Sequence, residues 1–181
     1  MTWTELGVVF AVGLAAVDGV LLAVLARTEE NLSDTDHGLP LGTALPTFEA
    51  VALDGSSVTE QHAFGKVVLF LGTRCQPCHQ LARELRQTEP DERATLLTIV
   101  ADRGEDPPDA DLLSELAFLP GSGVIHDRAR LLTERLAMPG LPFAYAVDLR
   151  GSIRAKRAVR SVETLRGAAR ATGLRPRRSR R

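Results

Sequence analysis

The sequence predicts an α/β sandwich preceded by a single membrane-spanning helix. Three observations carry this. Residues 6–26 form an apolar run broken only by Asp18. From residue 47 onward, β-branched runs alternate with segments whose apolar residues recur at helical spacing. At residues 66–79, KVVLFLGTRCQPCH, one period switches to the other within a few residues. With 181 residues, 44% of them hydrophobic, one compact domain plus an appendage is the expectation.

The apolar run is long enough to span about 30 Å of hydrocarbon as a helix. Trp3 lies where an interfacial aromatic belongs, and Arg27 closes the far end. No basic n-region precedes the run and no A-x-A site follows it, so residues 1–27 read as an anchor rather than a cleaved signal. Asp18 costs about 3 kcal/mol on insertion scales, which the surrounding Val and Leu residues offset. With Gly19 allowing close approach, Asp18 is expected to face a membrane redox partner; the plainer alternative is a protonated, tolerated carboxyl. Charge flanking the run does not fix its orientation, because only Arg27 stands against acids that count little.

Residues 28–45 are polar and acidic and carry Gly38, Pro40 and Gly42, so they read as a flexible linker with His37 solvated in it. The globular domain is expected over 46–173. Residues 47–53 and 66–72 read as strands, 76–87 as a helix ended by Pro90, and 94–101 as the next strand. A helix over 109–119, a short extended piece at 124–125 and a helix over 128–137 follow. Strands at 142–149 and 152–159 flank Arg150-Gly151, and a helix over 162–172 closes the domain.

Net charge is −1, but that average hides a split. Through Leu149 there are 10 basic against 22 acidic residues; beyond it, 12 against 1. The basic end, residues 174–181, reads as a disordered tail. It has no interleaved aromatics for stacking, so nucleic acid is not its expected partner. Membrane lipid headgroups or the chain's own acidic body are.

Cys75 and Cys78 are the only two cysteines. A helix N-terminus carries unsatisfied N–H groups and partial positive charge, which favours a thiolate. With Arg74 beside it, Cys75 is therefore the expected attacking sulfur. Pro77 suits a first helical turn, where its missing N–H costs nothing. Cys78, one turn on, lies near enough to resolve a mixed disulfide. A tetrahedral metal would need two further ligands, of which only His79 is evident, so no metal is expected. Cys75 to His79 also spells C-x-x-C-H, the haem-attachment pattern, with Met138 as a conceivable axial ligand. The preceding strand and the alternating elements downstream argue against it.

Strand, C-x-P-C and helix, followed by Gly140 to Asp148 (GLPFAYAVD), resemble the thioredoxin superfamily. Within it the chain is similar to the membrane-anchored TlpA and ResA group, and most of all to MauD-type accessory proteins of methylamine utilisation. The resemblance extends over the N-terminal apolar run, the strand with its Asp54-Gly55 turn, and Leu141 to Glu163 with Arg154-Ala155-Lys156. It implies a three-layer α/β/α sandwich with a mixed sheet, and an extracytoplasmic domain exchanging disulfides with cysteine-containing exported proteins. The dithiol would itself be the redox group, with no other cofactor. It also implies a cis Pro142 beside the dithiol, Leu141 offering backbone to an extended client segment, and Arg74, Gln76 and Pro77 flanking the client. Two departures stand out. Arg74 replaces the usual aromatic residue, and His79 follows the second cysteine; both are expected to favour the thiolate and a more oxidising disulfide. Glu60, Glu84 and Asp102 are all open as proton acceptors for Cys78. The resemblance leaves the direction of exchange open, and a non-catalytic binding module is the alternative.

Overall fold

The computed structural model describes residues 38–102 and 110–170. The expected anchor, Asp18, most of the linker with His37, and the tail at 174–181 lie outside the described residues. Among the described residues, no helix is long and apolar enough to cross a membrane.

Two short strands, Glu49–Val51 (β1) and Ser57–Thr59 (β2), pair antiparallel across the Asp54-Gly55 turn. The strand expected over 47–53 is shorter because its ends turn inward. Phe48 and Ala52 are buried, and Ala52 bridges to Ile125. A 3-10 turn, Glu60–Ala63, leads into the central strand Val67–Gly72 (β3), buried at every position. The dithiol helix Gln76–Arg86 (α1) follows. It ends before Pro90, which opens the short helix Pro90–Ala94 (α2) instead of closing the previous one.

Leu96–Ala101 (β4) runs parallel to β3, and Val124–Asp127 (β5) parallel to β4. Between them lies Ala110–Glu115 (α3). The helix expected over 128–137 is split: a 3-10 turn, Arg128–Arg130, ends on Arg130 at φ 59°, and Leu131–Arg135 (α4) starts afresh. The cause is Asp127, whose carboxylate accepts the N–H groups of Leu132 (2.9 Å) and Thr133 (2.7 Å), a fresh helix start. Phe143–Val147 (β6) and Ile153–Ala158 (β7) complete the sheet antiparallel, and Val162–Arg170 (α5) follows. The sheet order is β5-β4-β3-β6-β7.

Alternation along the strands builds two cores. Val67, Leu69 and Leu71 face one side and pack with Leu81 and Leu85 of α1, Leu112 of α3 and Leu165 of α5. Val68 and Phe70 face the other, with Phe48, Val58, Leu132 of α4, Phe143 and Tyr145. Helices thus cover one face; α4 and the β1–β2 hairpin cover the opposite one.

Part of the expected linker belongs to the domain. Leu45 is 5% exposed, and residues 42–45 run along the start of β7: Gly42 N–H to Ile153 O (2.8 Å), Ile153 N–H to Thr43 O (3.0 Å) and Leu45 N–H to Gly151 O (2.8 Å). Upstream, the Leu39 N–H donates to the Tyr145 hydroxyl (2.9 Å), which donates in turn to Leu136 O (3.0 Å). Tyr145 is fully buried, edge-on to Phe70 and Phe143, and burial pushes its ionisation above the ordinary phenol range. Gly38, at φ 80°, approaches so closely that any Cβ there would overlap that hydroxyl.

Candidate active site

Strand β3 delivers its chain to the end of the sheet, where Gly72 and Thr73 break the run and Arg74 takes φ 59°, a left-handed turn. That turn places Cys75 at the cap of α1, with Gln76 and Pro77 exposed in the first helical turn. The Cys75 carbonyl accepts the N–H groups of Cys78 (2.8 Å) and His79 (3.2 Å). Cys75 and Cys78 are joined as a disulfide, S–S 2.06 Å. Their surroundings differ sharply: Cys75 is partly exposed, while Cys78 is wholly buried in the helix-side core and accepts the Gly72 N–H on its sulfur at 3.4 Å. The outer sulfur is thus the one a partner can reach.

The second predicted piece arrives from β6. The β3–β6 register pairs Phe70 with Phe143, and continuing it sets Pro142 beside Leu71 and Leu141 beside Gly72. The Leu141–Pro142 peptide is cis. A methyl built on Gly72 would overlap Leu141 Cδ1 and lie 3.7 Å from Cys75 Cβ, so the Leu141 side chain covers the glycine next to the outer cysteine. Residues 74–78, Leu141 and Pro142 therefore converge, although some sixty residues separate the two segments. Sequence reading missed Gly72, whose lack of a side chain admits Leu141; the only signal was a glycine ending a β-branched run.

His79 does not simply face solvent. Its side chain is 19% exposed, and Nδ1 lies 2.9 Å from Glu115 Oε2 on α3. Arg83 stands 3.9 Å from the other oxygen of that carboxylate. Any imidazolium charge there meets a counter-charge, which reduces the help expected for the thiolate. Nothing local in the sequence marks Glu115 as its partner. Met138 packs in the core on the face opposite Cys78, so it cannot serve as an axial ligand across from His79. Among the described residues, no group of three or more His, Cys, Asp or Glu is placed to hold a metal ion.

The candidate proton acceptors separate. Glu60 accepts the Phe48 N–H (3.4 Å) beside the hairpin. Glu84 sits low on α1, bonded to Gln80 and the Val162 N–H. Asp102 is 4% exposed at the end of β4, next to the dithiol loop.

No protein-family model matches the chain, and no curated protein does. Solved structures do. A thio-disulfide isomerase from Thermus thermophilus aligns at 23% identity and TM-score 0.57, covering 76% of this chain and 99% of that one. A thiol:disulfide interchange protein from a Bacteroides species aligns at 18% identity and TM-score 0.55, covering 78% and 96%. The thioredoxin domain of a thiol-disulfide oxidoreductase from Bacteroides vulgatus aligns at 20% identity and TM-score 0.54, covering 71% and 97%. The fold is therefore the thioredoxin fold. On it, this chain carries a C-x-x-C disulfide capping a helix, with one sulfur reachable and one buried.

Proposed function

We propose that the protein is a membrane-anchored thiol:disulfide oxidoreductase of the TlpA and ResA group, nearest the MauD type, acting on cysteines of exported proteins. The observation that carries this is the asymmetric disulfide, Cys75 at the surface of a helix start and Cys78 buried beneath it. A client thiolate attacks the Cys75 sulfur, the Cys75–Cys78 bond breaks, and Cys78 leaves as the thiolate. A second client thiol then displaces Cys75, so the client pair is oxidised and the protein pair reduced by two electrons. The reverse sequence reduces a client disulfide. Leu141 and Pro142 support the client backbone, and Arg74, Gln76 and Pro77 border it. The dithiol is the redox group and needs no other cofactor.

The apolar run at 6–26 supports the anchor, with Asp18 turned to a membrane redox partner and the basic tail to lipid headgroups. The solved structures that the chain resembles include a thio-disulfide isomerase and a thiol:disulfide interchange protein, which is consistent with exchange chemistry. The deciding experiment is trapping in cells. Cys78→Ser leaves a mixed disulfide unresolved, so client proteins accumulate on Cys75 and can be identified. Recovery of none, with Cys75→Ser cells behaving normally, selects a non-catalytic recruitment module instead. Retention in the membrane pellet after alkaline carbonate washing tests the anchor.

A further inference from the structure

Away from the dithiol, the hairpin strand β1 and α4 border a groove of about 460 Å³ that the end of β5 also lines. Its floor is apolar, built from Phe48, Ile125 and Leu132 of the hairpin-side core. Val51 and Leu131 line it as well, yet they are 65% and 71% exposed, so apolar surface continues from the floor to the rim.

The charges around it are unbalanced. Arg128 and Arg135 line the groove and are exposed, and among the described residues neither has an ion-pair partner. Glu49 is the exposed acid on β1; Asp127 is occupied in capping α4, and His126 Nε2 stands 3.3 Å from Asp102 Oδ2. Through Leu149 the chain carries 22 acidic against 10 basic residues, so two unpaired arginines beside exposed apolar surface form a local site that attracts an acidic segment.

The groove opens at the dithiol's end of the sheet. Strands β3, β4 and β5 are parallel, and Ala101 is the register partner of both Gly72 and Asp127. Asp127 is thus two strand spacings, about 10 Å, from the glycine beside Cys75. Three or more extended residues, at about 3.3 Å each, cover that distance.

We propose that this groove is a second docking site for the client polypeptide, taking an extended segment in which aliphatic residues alternate with Asp or Glu; the identity of its occupant as a client rests on the disulfide-exchange reading. Four consecutive β1 residues, 48–51, line the groove, a length of about 13 Å that three or four extended residues fill. Alternation sends the aliphatic side chains to the floor between Val51 and Leu131 and leaves the carboxylates for Arg128 and Arg135. Holding that segment raises the local concentration of the client's cysteine at Cys75.

The first arm of the test uses the oxidised full chain in non-ionic detergent and a dye-labelled, cysteine-free peptide, Leu-Glu-Val-Glu-Leu, followed by anisotropy. It is expected to bind at least about tenfold more tightly than Leu-Lys-Val-Lys-Leu at low salt, an advantage that shrinks as salt is raised. Combining Arg128→Glu with Arg135→Glu reverses the preference, and Leu131→Asp weakens binding of the acidic peptide. All three positions are exposed, so thermal unfolding is expected to stay unchanged in these variants. Equal affinity for the two peptides, or an acidic preference untouched by the arginine pair, overturns the proposal. Arginine-dependent binding of phosphatidylglycerol vesicles without peptide binding assigns the groove to a lipid surface and overturns it equally. The second arm uses the Cys78→Ser chain and the same peptides joined by a glycine linker to a nitrothiobenzoate-capped cysteine. The Cys75 thiolate attacks the peptide sulfur, the Cys75–peptide disulfide forms, and coloured nitrothiobenzoate leaves. The acidic peptide is expected to react about tenfold faster below saturation. Equal rates despite a binding preference overturn the groove's role in client docking, whereas no release from either peptide overturns the exchange reading and leaves the first arm to decide the groove.

Discussion

Tyr145→Phe removes one oxygen from the centre of the sheet and separates two roles of that ring. The aromatic packing against Phe70 and Phe143 is kept. The hydroxyl's hydrogen bonds are lost: one accepted from Leu39 N–H, and the proton it donates to Leu136 O at 3.0 Å with Ala137 O at 3.4 Å as a second acceptor. Leu39 is only partly buried, so water can recover part of its loss; the Leu136 carbonyl lies deeper. An unsatisfied buried polar group costs about 1–3 kcal/mol, which gives a total of about 2–3 kcal/mol here. For a domain of this size that lowers Tm by roughly 6–15 °C. Thermal unfolding followed by circular dichroism measures the shift, and amide hydrogen exchange measures release of residues 39–45. A Tm drop under about 2 °C with unchanged exchange at Leu39 would refute the latch between this segment and β6.

Other substitutions probe the site and the charges around it. Gly72→Ala pushes a methyl into Leu141 Cδ1, the mobile end of a side chain, so a modest destabilisation of about 1 kcal/mol is expected together with altered alkylation of reduced Cys75; wild-type behaviour in both would show that Leu141 does not depend on the glycine. Asp148 is held below the usual carboxylate range by the Ser152 N–H first, and also by Arg154 and the Arg150 N–H. Its folded-state pKa is depressed, so its contribution is present above about pH 4 and is lost as pH falls through the lower folded value. Asp148→Asn should therefore flatten the acid limb of a denaturant-midpoint profile, and an unchanged limb would count against the turn. Burial lowers the Lys66 pKa, so charged Lys66 opposes folding at neutral pH and the opposition fades as pH rises toward 10.5. Lys66→Met is then expected to match or exceed the parent midpoint at pH 7; a clear loss would refute this.

What the sequence made legible was punctuated locally. The period switch at Gly72, the thiols at a helix start and the proline opening β6 are each encoded within a few residues, so the sheet centre and the dithiol could be read directly. What it hid depends on distant partners. Residues 38–45 look like linker because Gly and Pro abolish any periodicity, yet their backbone groups find β7 and Tyr145. Arg128 to Ala137 has helical spacing, but the Asp127 carboxylate restarts the helix at Leu131. Pro90 was as compatible with opening a helix as with stopping one. The pairs His79–Glu115 and Asp102–His126 join residues 36 and 24 positions apart, and no local spacing announces either.

The latch at Tyr145 also determines how the domain would meet mechanical tension. Tugging on the backbone upstream of Gly38 would first strain the Leu39–Tyr145 bond, then the ladder joining Gly42, Thr43 and Leu45 to the beginning of β7. That ladder lies by the β6–β7 turn, whereas the sulfurs hang from the opposite end of β3, braced by β4 and β6. The outer segment would peel away as a sacrificial strip before any displacement reached the redox pair.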